Sequence, residues 1–332
     1  MKKNIYINSQ GGLGFNLALS HVLKEFKQAY DKVCVLSPYF DVFEVCPYVD
    51  AVYKPNEIRD FIFDAKNDDA KLICERMYDS EDFIYKKVSY ADAWRKAAGL
   101  ELKGNKNGSD TKAELTPLKK YNALARDKEG LLKVIENHGF KDFVIAQFTG
   151  GQSPLVQVPM GIRKNAQGQD EQFPDWSRVP YNYEAEPLKR HYPVEKAQEF
   201  INLFHKAHPE TAVLLYQLPN EPRPDGDNII VATIPYLAYY ELAKEENCRG
   251  TISIDSSLQH LVAGVTKSVV IWGHSLPQSF GYEYNKNIIQ NCRRDDILYF
   301  SALGPSGARI DYIEPEKLLN EVDGYIYENK EK

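Results

Sequence analysis

The segment Thr251–Pro277, TISIDSSLQHLVAGVTKSVVIWGHSLP, holds the densest set of residues fit for chemistry. Ile252-Ser253-Ile254 reads as a strand, Asp255-Ser256-Ser257 closes it, and an apolar helical pattern starts at Ser257. Small hydroxyl residues at such a junction leave the first-turn N–H groups facing outward, where they and the helix dipole attract an anion. Gln259 and His260 fall in that first turn and can donate to phosphate oxygens. The same pattern also serves as an ordinary helix cap, worth about 1 kcal/mol. On its own the segment leaves both readings open.

The elements that would position it repeat one theme. In the first half, strand Ile5-Tyr6-Ile7 runs into the glycine turn Gly11-Gly12-Leu13-Gly14 and then a helix with Leu19, Val22, Leu23 and Phe26 at helical spacing. Strands follow at Val33-Cys34-Val35-Leu36, Ala51-Val52-Tyr53 and Leu72-Ile73-Cys74. The polar stretch from Lys103 to Pro117 reads as a loop leading to a linker. A helix around Leu131-Leu132-Val134-Ile135 stops at Gly139, and strand Phe143-Val144-Ile145-Ala146 opens a second series at the turn Gly150-Gly151. After a Gln/Pro-rich excursion (152–183), expected elements are a helix over 194–206, strands at 212–216, 229–231, 250–254 and 268–272, and a helix over 236–244. Strand, glycine turn and helix in this order are the signature of a doubly wound parallel sheet, here met twice. The expected division is residues 1–125, residues 140–312, and a C-terminal helix within 313–332 crossing back onto the first domain.

With those elements in place, the Asp255 segment resembles the signature of glycosyltransferase family 9, the ADP-heptose:lipopolysaccharide heptosyltransferases. Asp255, Ser256, His260 and Leu261 match its helix start, and Val269-Val270-Ile271-Trp272-Gly273-His274 matches the strand and loop that follow. Gln147-Phe148-Thr149-Gly150-Gly151 resembles the family's strand and glycine loop, and Lys189-Arg190-His191-Tyr192-Pro193 its basic element. Upstream, SPYFDVFEVCPYVDAVY resembles the second strand and helix, and the Gly11–Gly14 turn the first loop. The resemblance implies a GT-B architecture, two Rossmann-like domains facing a cleft. It implies metal-independent, inverting transfer of a sugar from a nucleotide-diphosphate sugar to a hydroxyl acceptor. The implied donor residues are Thr149, Gly150, Gly151, Arg190, Gln217, Asp255, Ser256, Ser257, Gln259, His260 and Gly273, with Arg190 as the cation beside the leaving diphosphate. Gly12, Gly14 and Asn16 would form the acceptor-side loop.

Three departures stand out. Ser257 replaces the usual glycine, and the excursion after Gly151 is an insertion. Where the family has an Asp after the first-loop glycine, acting as general base, this chain has Phe15 followed by Asn16, and neither takes a proton. Asp79, Glu81 and Asp82 are the candidate replacements, with His21 behind them.

Composition narrows the partners. Hydrophobic residues at 43% and charged residues at 27% describe an ordinary globular chain, and 22 tyrosines supply apolar surface with a polar tip. A net charge of −6 gives no global field for polyanions. The five cysteines are scattered without metal-ligand spacing. No segment reads as a signal peptide or membrane span, so a cytoplasmic location is expected, the host cytoplasm for a phage-borne chain. Asp225-Gly226-Asp227 lies in a turn composition and reads as a turn, and neither a P-loop nor a G-x-G-x-x-G fingerprint is present. No metal or further cofactor is expected. A bacterial surface glycan is the preferred acceptor. One alternative is hydroxymethylated DNA, met by Lys86, Lys87, Arg95, Lys96, Lys103 and Lys106. Another is a non-catalytic nucleotide or nucleotide-sugar binding protein.

Overall fold

Ile5, Tyr6, Ile7, Val33, Cys34 and Val35 are wholly buried, as near-continuous apolar runs are when a parallel sheet is covered on both faces. The computed structural model describes residues 3–74, 77, 80–84, 88–104, 107–150, 160–164, 170–174, 191–217, 221–273, 275–289 and 313–328. β1 (Asn4–Asn8), β2 (Lys32–Leu36), β3 (Ala51–Tyr53) and β4 (Lys71–Ile73) form a parallel four-stranded sheet in the order β3-β2-β1-β4.

The second sheet is built the same way from β5 (Asp142–Gln147), β8 (Thr211–Leu215), β9 (Ile229–Val231), β10 (Cys248–Ile254), β11 (Ser268–Trp272) and β12 (Lys286–Ile289). Its order is β12-β11-β10-β5-β8-β9, all parallel. From β5 the chain winds outward through β8 and β9, then returns to build the other side from β10. The strand order therefore reverses between β5 and β10, and in open α/β sheets ligands bind in the crevice at that point, beyond the carboxyl ends of the strands. Within the long excursion, β6 (Met160–Lys164) and β7 (Asp170–Pro174) pair as an antiparallel hairpin.

The two sheets share one apolar cluster. It runs from Ile5 and Ile7 through Leu17, Leu19 and Leu23 of the helix Leu13–Ala29 to Leu258 and Leu261 of the helix Ser257–Leu261, and those two helices pack together. The polar stretch before Pro117 is also held tightly. Ser109 bonds through its N–H to the Gly281 carbonyl (2.8 Å), Ala113 to the Ala263 carbonyl (2.8 Å), and Leu115 to the Tyr240 hydroxyl (3.1 Å). Ser109, Thr111, Ala113 and Leu115 are buried in alternation with their neighbours, a strand-like period whose hydroxyl members disguise it.

The C-terminal helix Pro315–Val322 corrects the expectation that it crosses to the first domain. It packs on the helix Val194–Ala207 and on β12, with Leu318 and Val322 buried in the apolar cluster of the six-stranded sheet.

Candidate functional site

At the switch point of the second sheet three loops are laced together. Gln147 ends β5 and reaches across to the end of β10: its Nε2 donates to Ser256 Oγ (3.2 Å) and its Oε1 accepts from the Leu258 N–H (3.1 Å). A side chain at Gly150 would come within 2.6 Å of Ser256 Oγ, so only glycine lets the two loops approach this closely. The Gly150 N–H donates to His191 Nδ1 (3.3 Å), and Thr149 Oγ1 donates to Glu221 Oε2 (2.8 Å). Asp255 accepts from Gln259 Nε2 (2.6 Å) and from Ser275 Oγ, which ties in the loop after β11 where Gly273 is buried.

The helix that follows has five residues, and neither Asp255 nor Ser256 caps it with a side chain. The ordinary cap reading fails here, because Gln147 takes the Leu258 N–H instead. That bond also commits one of the first-turn donors to protein. Gln259 is fully buried with its amide on Asp255, so it braces the loop rather than facing outward. Ser257 faces a different set of groups. Its Oγ lies 3.2 Å from the Tyr216 hydroxyl, and Gln217, next along, holds a buried Nε2 without a partner among the described residues.

His260 is drawn inward, to the junction of the sheets. Its Nδ1 lies 2.8 Å from the Tyr282 hydroxyl, which lies 3.1 Å from Nδ1 of His21 on the first sheet's helix. The hydroxyl carries one hydrogen, so it donates to at most one ring and accepts from the other. Burial, with His260 nearby, pushes His21 down to about 3, and burial holds the Tyr282 phenol well above its usual range. A sealed, weakly basic imidazole is ill suited to take a substrate proton, which corrects its place among the candidate bases. Gly14 explains the fit: an added Cβ would sit 3.0 Å from His260 Cδ2 and 3.5 Å from Ser257 Cα.

The first loop is built for support. Asn16 is fully buried; its Nδ2 donates to the Gly11 and Gly12 carbonyls (3.0 and 2.9 Å) and its Oδ1 accepts from Ser9 and Ser37 (both 2.7 Å). With every valence used, Asn16 clamps the β1 and β2 loops together. Phe15 packs edge-on against Tyr90 and Trp94, at centroid distances of 5.3 and 5.6 Å. Of the acidic candidates, Asp82 is ion-paired with Lys96, Glu81 is exposed on the short helix Glu81–Ile84, and Asp79 lies outside the described residues.

Sequence reasoning passed over Asp41. It stands in the first turn of the helix Phe40–Glu44, just beyond β2 on the same carboxyl edge as the first loop. Burial raises its carboxyl above its ordinary value, against a lowering contribution from the nearby Tyr236 hydroxyl. The signal available was its position: an acid a few residues past a strand and the Pro38 stop.

Three of the six basic residues offered as a phosphate-facing surface are committed to carboxylates. Arg95 is fully buried, paired with Glu25 (2.8 Å), Asp92 (2.9 Å) and Asp110 (3.0 Å), and Lys103 bridges Glu25 and Asp110. Lys96 is spent on Asp82, while Lys86, Lys87 and Lys106 lie outside the described residues, as do Gly151 and Arg190. Asp225 and Gly226 bond within their own turn and to Gln198, as the turn reading expects. Among the described residues no group of three or more His, Cys, Asp or Glu side chains is arranged to hold a metal, and no helix is long and apolar enough to cross a membrane.

No protein-family model and no curated protein matches the chain. Solved structures do. A glycosyl transferase family 9 protein from Veillonella parvula matches with a TM-score of 0.59 at 12% identity, covering 99% of this chain and 98% of its own. E. coli ADP-heptose LPS heptosyltransferase II matches with 0.52 at 11% identity, covering 98% of each chain. E. coli heptosyltransferase WaaC, solved with ADP, matches with 0.51 at 11% identity, covering 97% of this chain and 99% of its own. At such identities the likeness is one of fold: the chain has the two-sheet GT-B architecture along nearly its whole length.

Proposed function

We propose that this protein transfers a sugar, with inversion, from a nucleotide-diphosphate sugar to a hydroxyl acceptor. The carrying observation is the convergence of the loops after β5, β10 and β11 at one switch point, where Gly150 touches Ser256 and Ser275 bonds Asp255. In a GT-B chain that crevice suits a nucleotide diphosphate. On this reading residues 1–125 serve the acceptor and residues 140–312 the donor.

Thr149 and Gly150 follow β5 on the side that nears the phosphates, with the hydroxyls of Ser256 and Ser257 and the buried Gly273 loop opposite, and Gly151 is assigned to the same donor set from the sequence. Gln217 offers to the nucleotide an Nε2 that has no partner among the described residues. Asp255, Gln259 and His260 hold the loop in shape through Ser275, each other and Tyr282. Arg190 supplies the positive charge that offsets the charge growing on the leaving diphosphate, so a metal is not needed for that step.

For the acceptor we favour a bacterial surface glycan. The solved relatives include lipopolysaccharide heptosyltransferases, and the pairing of Arg95, Lys96 and Lys103 with carboxylates removes much of the support for a DNA phosphate surface. The packing of Phe15 into the core favours a second reading, a nucleotide-sugar binding protein without turnover. Incubation with UDP-, GDP- and ADP-sugars, followed by assay of released nucleoside diphosphate, separates the two. Arg190→Ala should weaken nucleoside diphosphate binding by about 1.5 kcal/mol or more, as loss of a charge-assisted pair does. Unchanged affinity would remove Arg190 from the donor site.

A further inference from the structure

We propose that Asp41 is the catalytic base that takes the proton of the acceptor hydroxyl, in the place left empty of carboxylate by Phe15. The inference rests on the glycosyl-transfer reading above. Asp41 follows β2, so it stands on the carboxyl edge of the first sheet, the side that faces a ligand in a doubly wound fold. One carboxylate oxygen accepts from the Val42 N–H (3.1 Å), which fixes the orientation of the group.

Opposite Asp41 is Tyr236, at the start of the helix Tyr236–Leu242 on the second sheet's side. Beside Tyr236 lies Tyr216, whose hydroxyl meets Ser257 at 3.2 Å. The two tyrosines thus lie between the carboxylate and the end of β10, Tyr216 in contact with Ser257 and Tyr236 on the Asp41 side with no hydrogen bond from its hydroxyl among the described residues. An acceptor lying along these rings would have its hydroxyl near Asp41 and the donor sugar near Ser257.

Among the described residues, four other carboxylates on these elements are already engaged. Asp82 pairs with Lys96, Glu44 with Lys120 and Tyr121, Asp255 with Gln259 and Ser275, and Glu221 with Thr149. Among the described residues no cation lies within ion-pair distance of Asp41. The groups facing it are the hydroxyls of Tyr236, Tyr39 and Tyr121 and the Glu44 carboxylate, and burial raises its proton affinity above the ordinary value. In the step, the acceptor oxygen bonds to the anomeric carbon as its proton passes to Asp41. The bond from that carbon to the diphosphate oxygen breaks, and its electron pair leaves with the nucleoside diphosphate.

Wild-type protein, Asp41→Asn and Asp41→Glu are compared for nucleoside diphosphate release from UDP-, GDP- and ADP-sugars, with whichever hydroxyl acceptor the wild type uses, water included. Binding of UDP, GDP and ADP is measured alongside by calorimetry. Asp41→Asn should lower kcat by about 10²–10⁴-fold, as loss of a general base does, with nucleotide affinity within about twofold of wild type. Wild-type kcat should fall as pH drops through the raised carboxyl range; Asp41→Asn loses that acid limb, and Asp41→Glu keeps it with part of the rate. Asp41→Asn with wild-type kcat and an unchanged acid limb overturns the assignment while leaving glycosyl transfer standing. Equal loss of affinity and turnover in Asp41→Asn assigns a structural role and also overturns it. A wild type that binds nucleoside diphosphate yet releases none from any donor overturns the parent reading and this one together.

Discussion

At the scale of single residues, the first loop shows how one substitution rewrites a site. Phe15 is 5% exposed, and the Gly11 backbone lies so close beneath its ring that any side chain at Gly11 would collide with it. Tyr90 and Trp94 complete its pocket. An aspartate at this position would not return a base to the cleft, because its carboxylate would be sealed among aromatic rings without a cation. Phe15→Asp should therefore destabilise the fold by about 3 kcal/mol or more, combining a lost aromatic with a buried charge. Chemical denaturation reads the loss. A stable Phe15→Asp variant with faster turnover than wild type would show that the loop can turn the carboxylate outward, and would move the base back to this position.

At the scale of elements, strands were legible because their apolar runs match a sheet buried on both faces; β1, β2, β5, β8, β10 and β11 fall where those runs predict. The helix Tyr90–Ala98 was not, although its ends carry plain signals. Ser89 Oγ accepts from the Asp92 N–H (3.2 Å), and Gly99 closes the helix with φ of 77°. Its inner face is disguised by charge, since Asp92 and Arg95 are among its buried residues. The candidate site divides in the same manner. Loops at strand ends can be read along the chain, whereas the Gln147 amide on Leu258 and the meeting of Asp41 with Tyr236 exist only once the sheets are folded and apposed. The charge network makes the disguised helix testable. Arg95→Ala leaves Asp92 buried and Glu25 and Asp110 part-buried without their cation, and breaking a buried pair from one side typically removes about 3–5 kcal/mol. Lys103 still faces two of the three carboxylates, so the lower end of that range is expected. A variant that melts with wild-type parameters would mean that the network is dispensable and that this helix is held by its apolar face alone.

At the scale of the whole molecule, the two sheets share one apolar cluster and a polar seam of His21, Tyr282 and His260, so they are expected to unfold as one cooperative unit. The seam also sets how that unit responds to acid. His21 is held down to about 3 in the folded protein, against an ordinary value of 6.5. Above the ordinary value both states leave the ring neutral, and its contribution to stability does not change with pH. As pH falls below it, the unfolded chain takes up a proton that the folded protein refuses until near its depressed value. Stability is then lost over that window, by about 1.4 kcal/mol for each pH unit attributable to this one group. Leucine at position 21 takes up no proton in either state. His21→Leu forfeits the bond to Tyr282 and should be less stable than wild type at pH 7, yet it should recover about 2 kcal/mol relative to wild type between pH 7 and pH 5. Urea unfolding of both proteins at the two pH values measures the difference. Parallel pH dependence in the two proteins would mean that the His21 ring accepts its proton in the folded state, and that the seam opens to water without the sheets coming apart.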